Sequence, residues 1–444
     1  MVGMAISEVF LIYTLFNIQN PKKIIFSQFI YILIVQYLTN NEGASRIVLY
    51  LGDVNTLILF IQVLQHRKFN YLFDRKNRIV TFEILAFFIF ALISVLVNQS
   101  SILLAVWATR NYMRFFTFFF ACYTFLGQAD VKKILKILYY LLIINFLLSV
   151  YQYSILGYKG DNLGGIFGTA AGCNAYSNIL FVIMITYGFG MYMQRKISLI
   201  KIIIILFCCF ACSIMAELKF FFYEFFIIVI LNVVLRKPSL KTILIICISC
   251  TTFVLGTSYF NKYNNRFKEY QFYKISSLTT YATIGSYSYT SSSINRLTGL
   301  SIISQNYLTG ILHKIFGVGF GNADYSSYFI SPYYSLYWRT NYAWFLHTFL
   351  LLEVGWMGLS LYILIFVFII ISAMKQKNDN YKLISISTTI IAILSIILMW
   401  YNSSLRMDVA YILFGVLAFG FIKDGSNEYS KQLIKLGNQT EITE

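Results

Sequence analysis

Residues Ile202–Met215 read IIIILFCCFACSIM, a run with no charged residue and a single hydroxyl, Ser213. A helix on a soluble protein keeps a polar face toward water, and this run has none to offer. Four residues, Ala216-Glu-Leu-Lys219, separate it from a second apolar run that begins at Phe220. Runs of the same kind recur at Ile243–Phe253 and Leu359–Ala373. The chain of 444 residues is 58% hydrophobic and only 12% charged, with a mean hydropathy of +0.69. That excludes a soluble globule and predicts an all-α, polytopic transmembrane bundle.

Runs of about 20 apolar residues cross a bilayer core of about 30 Å, and that rule yields about 12 to 13 spans. They fall at 4–18, 24–38, 47–65, 79–97, 102–126, 134–156, 174–193, 202–216, 220–235, 242–260, 341–373, 383–400 and 409–422. The first is the weakest, being short and carrying Glu8, and it has neither the basic start nor the cleavage site of a signal peptide. The expected organisation is ten spans in 1–260, a large loop over 261–340, three spans in 341–422 and a tail over 423–444.

The formal net charge of +17 is a topology signal once it is sorted by loop. The connections 19–23, 66–78, 127–133, 194–201, 236–241 and 375–382, with the tail, hold 2, 5, 2, 3, 3, 3 and 3 Lys or Arg, 21 of the 35. The alternate short connections hold only Arg46, Lys159, Lys219 and Arg406. Short basic loops stay cytoplasmic, so the loop over 261–340 is expected outside, and a nucleic-acid partner drops out.

Metal and thiol chemistry find little support. Cys122, Cys208, Cys209, Cys212, Cys247 and Cys250 lie inside apolar runs, where C-x-x-C spacings read as packing residues. His66, His313 and His347 are too few and too scattered for a metal cluster. No metal and no cofactor is expected.

The outer loop carries Lys262, Arg266, Lys268, Lys274, Arg296, Lys314 and Arg339 against Glu269 and Asp324. Tyr and Ser are dense from Tyr281 to Ser293 and from Tyr325 to Tyr337. Aromatic faces stack on sugar rings and hydroxyls hydrogen-bond to them, while excess cations suit a diphosphate. Helical spacing from Ile294 through Leu297, Leu300 and Ile303 predicts a helix with Arg296 and Gly299 off the buried stripe. A tight turn follows at Gly317, Gly319 and Gly321, where glycine permits close approach and positive φ.

Three strings in order, Asn295-Arg-Leu-Thr-Gly299, Ile315-Phe-Gly-Val-Gly-Phe-Gly321 and His347-Thr-Phe-Leu-Leu-Leu-Glu-Val-Gly-Trp-Met-Gly358, resemble the O-antigen polymerase and O-antigen ligase superfamily. Asp161-Asn-Leu-Gly-Gly-Ile-Phe-Gly-Thr169 with Asn174 is similar to that family's glycine-rich segment before a middle span. The likeness covers roughly 160–360. Thr348 stands where the family has Asn, and Leu218-Lys219 where it has Ser-Arg, which keeps the charge but loses the bidentate fork.

The resemblance implies a multi-pass glycosyltransferase of the cytoplasmic membrane with its active face outside. It would polymerise undecaprenyl-diphosphate-linked oligosaccharide repeats for O-antigen, capsule or exopolysaccharide. Flippase and chain-length regulator proteins would be its neighbours. A ligase transferring glycan to lipid core or protein is the alternative within the family; a flippase of lipid-linked sugar and a non-catalytic scaffold are alternatives of other classes.

In that reading His347 at the outer surface is the base or acceptor for a sugar hydroxyl, Arg296 stabilises the departing diphosphate, and Lys219 meets the carrier diphosphate. Spans 202–216 and 220–235 are short, so their junction, with Glu217 and Lys219, is expected to be recessed below the surface. Asp161, in the glycine-rich segment, is a further substrate-binding candidate, as are Glu217, Arg110 and Arg114. Arg339 and Arg406 are outer-face alternatives to Arg296. Arg110 and Arg114 share one face of the fifth span and need anionic company at membrane depth, and Asp53 in the third span is a similar, weaker candidate for a functional charge. Glu353 is expected to point away from His347 on a continuous helix and to be structural.

Overall fold

The computed structural model describes residues 2–65, 73, 78–236, 244, 247, 248, 251, 255, 258, 294–325, 329–375 and 382–422. The expected span 242–260 falls largely outside these residues. So do Lys262, Arg266, Lys268, Glu269, Lys274, the Tyr281–Ser293 run, His66 and Cys250.

Secondary structure among the described residues is helical throughout. The described elements before the large loop are α1 (Val2–Phe16), α2 (Pro21–Asn40), α3 (Leu51–Gln65), α4 (Arg78–Val97), α5 (Ile102–Phe125), α6 (Gln128–Ser154), α7 (Asn174–Met193), α8 (Leu199–Met215) and α9 (Lys219–Arg236). Three short ones lie in the loop, α10 (Gly299–Ile302), α11 (Gly310–Phe316) and α12 (Pro332–Tyr337). Three follow it, α13 (Leu346–Met374), α14 (Lys382–Tyr401) and α15 (Ala410–Leu417). Among the described residues six segments are long and apolar enough to cross a membrane: Arg46–Gln65, Arg78–Val97, Gln128–Ser154, Asn174–Met193, Leu346–Met374 and Lys382–Tyr401. Val2–Phe16, Leu199–Met215 and Ala410–Phe421 are shorter apolar helices. The chain is thus an all-α, polytopic protein of membrane type.

Local signals account for the starts. Asn20 accepts from the Lys23 N–H and Pro21 stands in the first turn of α2, while Ser198 accepts from the Lys201 N–H before α8. In an apolar solvent, polar groups between helices must pair with each other. Thr14 donates to Asn55 at 3.0 Å, Asn55 to Gln28 at 2.8 Å and Gln28 to the Gly52 carbonyl at 3.2 Å, which ties α1, α2 and α3 together. That seam explains how α1 is retained although most of its length faces outward.

α7 is buried almost all round and is the central post. Beside it, Phe115 and Phe116 of α5, Tyr362 and Phe366 of α13 and Tyr411 and Phe414 of α15 pack ring against ring. Contacts between helix termini gather the ends of α2, α4, α6, α8 and α14 with the starts of α3, α5, α7, α9, α13 and α15. Asn41 meets Thr169, Asn174 the Ala216 carbonyl, and Leu346 N–H the Asn402 carbonyl. The opposite end holds Lys22, Lys132, Arg195, Lys201 and Lys382, so the two ends differ in charge as the loop sorting requires.

Two expectations are corrected here. The span over 341–373 is not one continuous helix: Asn341 is left-handed, Tyr342–Trp344 forms a 3₁₀ turn, and α13 is broken at Gly355, where φ is 67° and ψ −171°. The helix expected from Ile294 begins only at Gly299, passes through a π turn over Ile303–Tyr307 and restarts at Gly310. Ile294 instead donates its N–H to the Thr340 carbonyl. Gly299 is therefore buried, against Thr348, and not off the core face.

Candidate functional site

The glycine turn and the break in α13 are two halves of one junction. Val318 N–H donates to the Leu352 carbonyl at 2.9 Å and Gly319 N–H to the Glu353 carbonyl at 3.1 Å. Gly317, Gly319, Gly321 and Gly355 all have positive φ. A Cβ on Gly317 would strike the Glu353 backbone, and one on Gly321 the Leu104 carbonyl of α5. Glycine is needed because backbone meets backbone. Glu353 is fully buried and its carboxylate accepts from the Ala323 N–H at 3.3 Å. Tyr342 donates to the Ala323 carbonyl at 2.6 Å, fastening the same segment from the other side. Glu353 reaches the loop beside the break in α13.

The turn delivers Asp324 to a charged network at the mouth of the bundle. Arg406 is ion-paired with Asp324, and Asn111 donates to the other Asp324 oxygen at 2.8 Å. The Arg406 guanidinium lies over Phe349 at 3.6 Å. Burial works against its charge, but the neighbouring carboxylates outweigh that and raise its pKa, so it remains a cation.

One turn away, Arg110 is ion-paired with Asp53, and Arg114 bridges Asp53 at 3.3 Å and Asp408 at 3.0 Å. Tyr411 donates to Asp53 at 2.7 Å and Gln36 to Asp408 at 2.9 Å. The anionic company required by the two arginines is therefore Asp53 and Asp408. Asp408 was not singled out in the sequence, although its connection lies on the same side as Arg406. Arg110 is also stacked between Tyr50 and Trp107, at 4.8 and 4.9 Å.

A second group lies where α8 hands over to α9. Glu217 is left-handed, φ 53°, an uncommon state for a residue with a side chain and one that clusters at functional sites. Its carboxylate lies close enough to Gly160 that a Cβ there would meet Oε2 at 3.5 Å. Asp161 accepts from Asn174 at 2.8 Å. Burial lowers the half-buried Lys219 amine to about 6, with Glu217 and Asp161 pulling it back up and the nearby Arg296 charge adding to the fall. Arg296 donates through Nε to the Tyr401 carbonyl at 3.3 Å and sits over the rings of Phe345 and Tyr401, at 5.0 and 5.2 Å. Tyr401 stacks on Phe220 at 4.3 Å. Cys173 adjoins this group, and burial first, then Asp161, push its thiol up to about 12, which leaves it unreactive.

His347 differs most from its expected place. It is fully buried, stacked on Trp400 at 4.9 Å and 9°, with Nδ1 at 3.0 Å from the Met399 carbonyl. With the Nδ1 proton donated to that carbonyl, Nε2 is left buried without a hydrogen-bond partner among the described residues, 3.7 Å from where a Cβ on Gly299 would lie. Arg339 is exposed, with its guanidinium over Trp338 at 5.3 Å, and stays apart from both groups.

No protein-family model matches this chain, and no curated protein matches it.

Lys219→Arg is expected to keep function and Lys219→Ala to lose it, if a positive charge is what the recess supplies. Complementation of a strain lacking the protein by each variant, at matched protein level in the membrane, checks this. Equal behaviour of the two variants would make Lys219 a cap on the α8–α9 hairpin.

Proposed function

We propose that this protein is a membrane glycosyltransferase that extends glycan chains carried on undecaprenyl diphosphate, at the outer face of the cytoplasmic membrane. One observation carries the reading: Lys219 and Arg296, remote in sequence, converge beside the aromatic wall of Phe220, Tyr401 and Phe345 at the end of the bundle poor in basic loops. Arg296 beside aromatic rings, with a Lys219 amine that a bound anion would hold protonated, suits a diphosphate joined to a sugar. The order of the strings around Arg296, Gly317 and His347 supports the same choice.

In this mechanism the diphosphate of the donor rests against Lys219 and Arg296, which draw charge from it as the bond to the sugar breaks. The acceptor is the terminal hydroxyl of an incoming lipid-linked repeat, and undecaprenyl diphosphate leaves. The burial of His347 suits a positioning role: stacked on Trp400 and bonded to the Met399 carbonyl, it packs beneath Gly299 in the segment that carries Arg296. The ion pairs of Arg110, Arg114 and Arg406 hold the mouth and the loop in register, and exposed tyrosines such as Tyr325, together with Arg339, offer stacking and hydrogen-bonding surface for glycan.

Deleting the protein tests this against other classes. Accumulation of single lipid-linked repeats on the outer face is the expected result. Repeats held inside would indicate a flippase, and long polymer left on its carrier would indicate a ligase.

A further inference from the structure

Helix α11 (Gly310–Phe316) buries none of its residues, and Ile311 and Leu312 are 71% and 58% exposed. At about 100° per residue, Ile311, Ile315, Leu312 and Phe316 occupy one arc of about 140°, with His313 and Lys314 outside it. A loop surrounded by water gives no reason for such a face. Its depth does. Ser94 of α4 donates to the Phe316 carbonyl at 2.6 Å, and Phe316 stacks on Phe90 at 5.1 Å and 10°. α4 continues to Val97, which puts Phe90 about 10 Å below the end of that helix. On the other side the turn abuts Gly355, about 13 Å along α13 from its start. Trp356 donates to Ser304 at 3.3 Å while its ring stays exposed beside Met357, as are Ile89, Ile93 and Leu96 of α4.

We propose that α11 is a re-entrant helix lying in the leaflet at the network end, its Ile311, Leu312 and Ile315 covered by phospholipid acyl chains and Lys314 turned toward the phosphates. The apolar face continues the outward apolar surface of α4 and α13, which identifies the occupant as bilayer lipid. It also explains the glycine turn that follows. Irregular backbone at membrane depth persists only when protein satisfies it, and Leu352 and Glu353 carbonyls do so here. Trp356 at this level has the amphipathic character of an interfacial anchor.

The test uses the full chain with p-benzoylphenylalanine placed at Ile311, Leu312 or Ile315, reconstituted into phosphatidylethanolamine–phosphatidylglycerol vesicles and irradiated. Leu147, outward on α6, serves as the lipid-facing reference and Tyr325 as the loop reference. Phospholipid adducts at Ile311 and Leu312 are expected within about twofold of the yield at Leu147 and well above Tyr325. Yields at the Tyr325 level overturn the proposal, as do crosslinks to a second copy of the chain in place of lipid. Ile315 is the less exposed site and gives the same comparison if either other variant fails to fold.

Discussion

Gly355→Ala is expected to destabilise the protein far more than Gly310→Ala, although φ is +67° at one and +80° at the other. A Cβ at Gly310 meets open space, so only the left-handed backbone costs, about 1–2 kcal/mol. A Cβ at Gly355 would collide with the Ile315 carbonyl and the Gly317 nitrogen. Relieving that collision separates the two chains that share the Val318–Leu352 and Gly319–Glu353 hydrogen bonds. Leaving buried backbone groups unpaired costs about 1–3 kcal/mol each, so a total of about 4 kcal/mol is expected. Thermal unfolding in detergent reads the difference. Similar midpoints for the two variants would mean that turn and broken helix are not closely packed.

Arg296→Ala is expected to reduce polymer formation by about 100-fold or more while the folded protein persists in the membrane, as for loss of a group that stabilises developing charge. Truncation removes its bond to the Tyr401 carbonyl and its contacts with the Phe345 and Tyr401 rings, and protein level in the membrane is the control. His347 separates two roles by substitution. His347→Gln can still donate to the Met399 carbonyl and fill the space beside Gly299, so substantial activity is expected if the residue positions its neighbours. His347→Ala removes that support and the stack on Trp400, and activity should fall with it. If Gln were as inactive as Ala, the imidazole would be acting as a base. Polymer of ordinary length from Arg296→Ala would remove that residue from the site.

The helices were legible because a membrane span is a local property. The runs at 174–193 and 79–97 fall within a residue of α7 and α4, since length and hydropathy alone define them. Charge sorting was legible for the same reason. The α5 arginines announced their need for carboxylates, and Asp53 was within reach of that argument. Asp408 was not, because its approach to Arg114 is set by how α15 packs on α5. The glycine alternation at 317–321 signalled close approach, but nothing local names Leu352–Gly355 as the partner. Helical spacing misled at Ile294–Ile303 because that segment is fixed by Thr340 and Thr348, not by its own period. The burial of His347 depends on Trp400, a contact between two helices whose sequences carry no sign of it.

The most direct test of the proposed activity is purified protein in vesicles, given a synthetic undecaprenyl-diphosphate-linked repeat with no nucleotide sugar added. A ladder of lengthening lipid-linked chains, lost with Arg296→Ala, is the predicted result. A correctly folded protein that leaves the repeat as single units would contradict it.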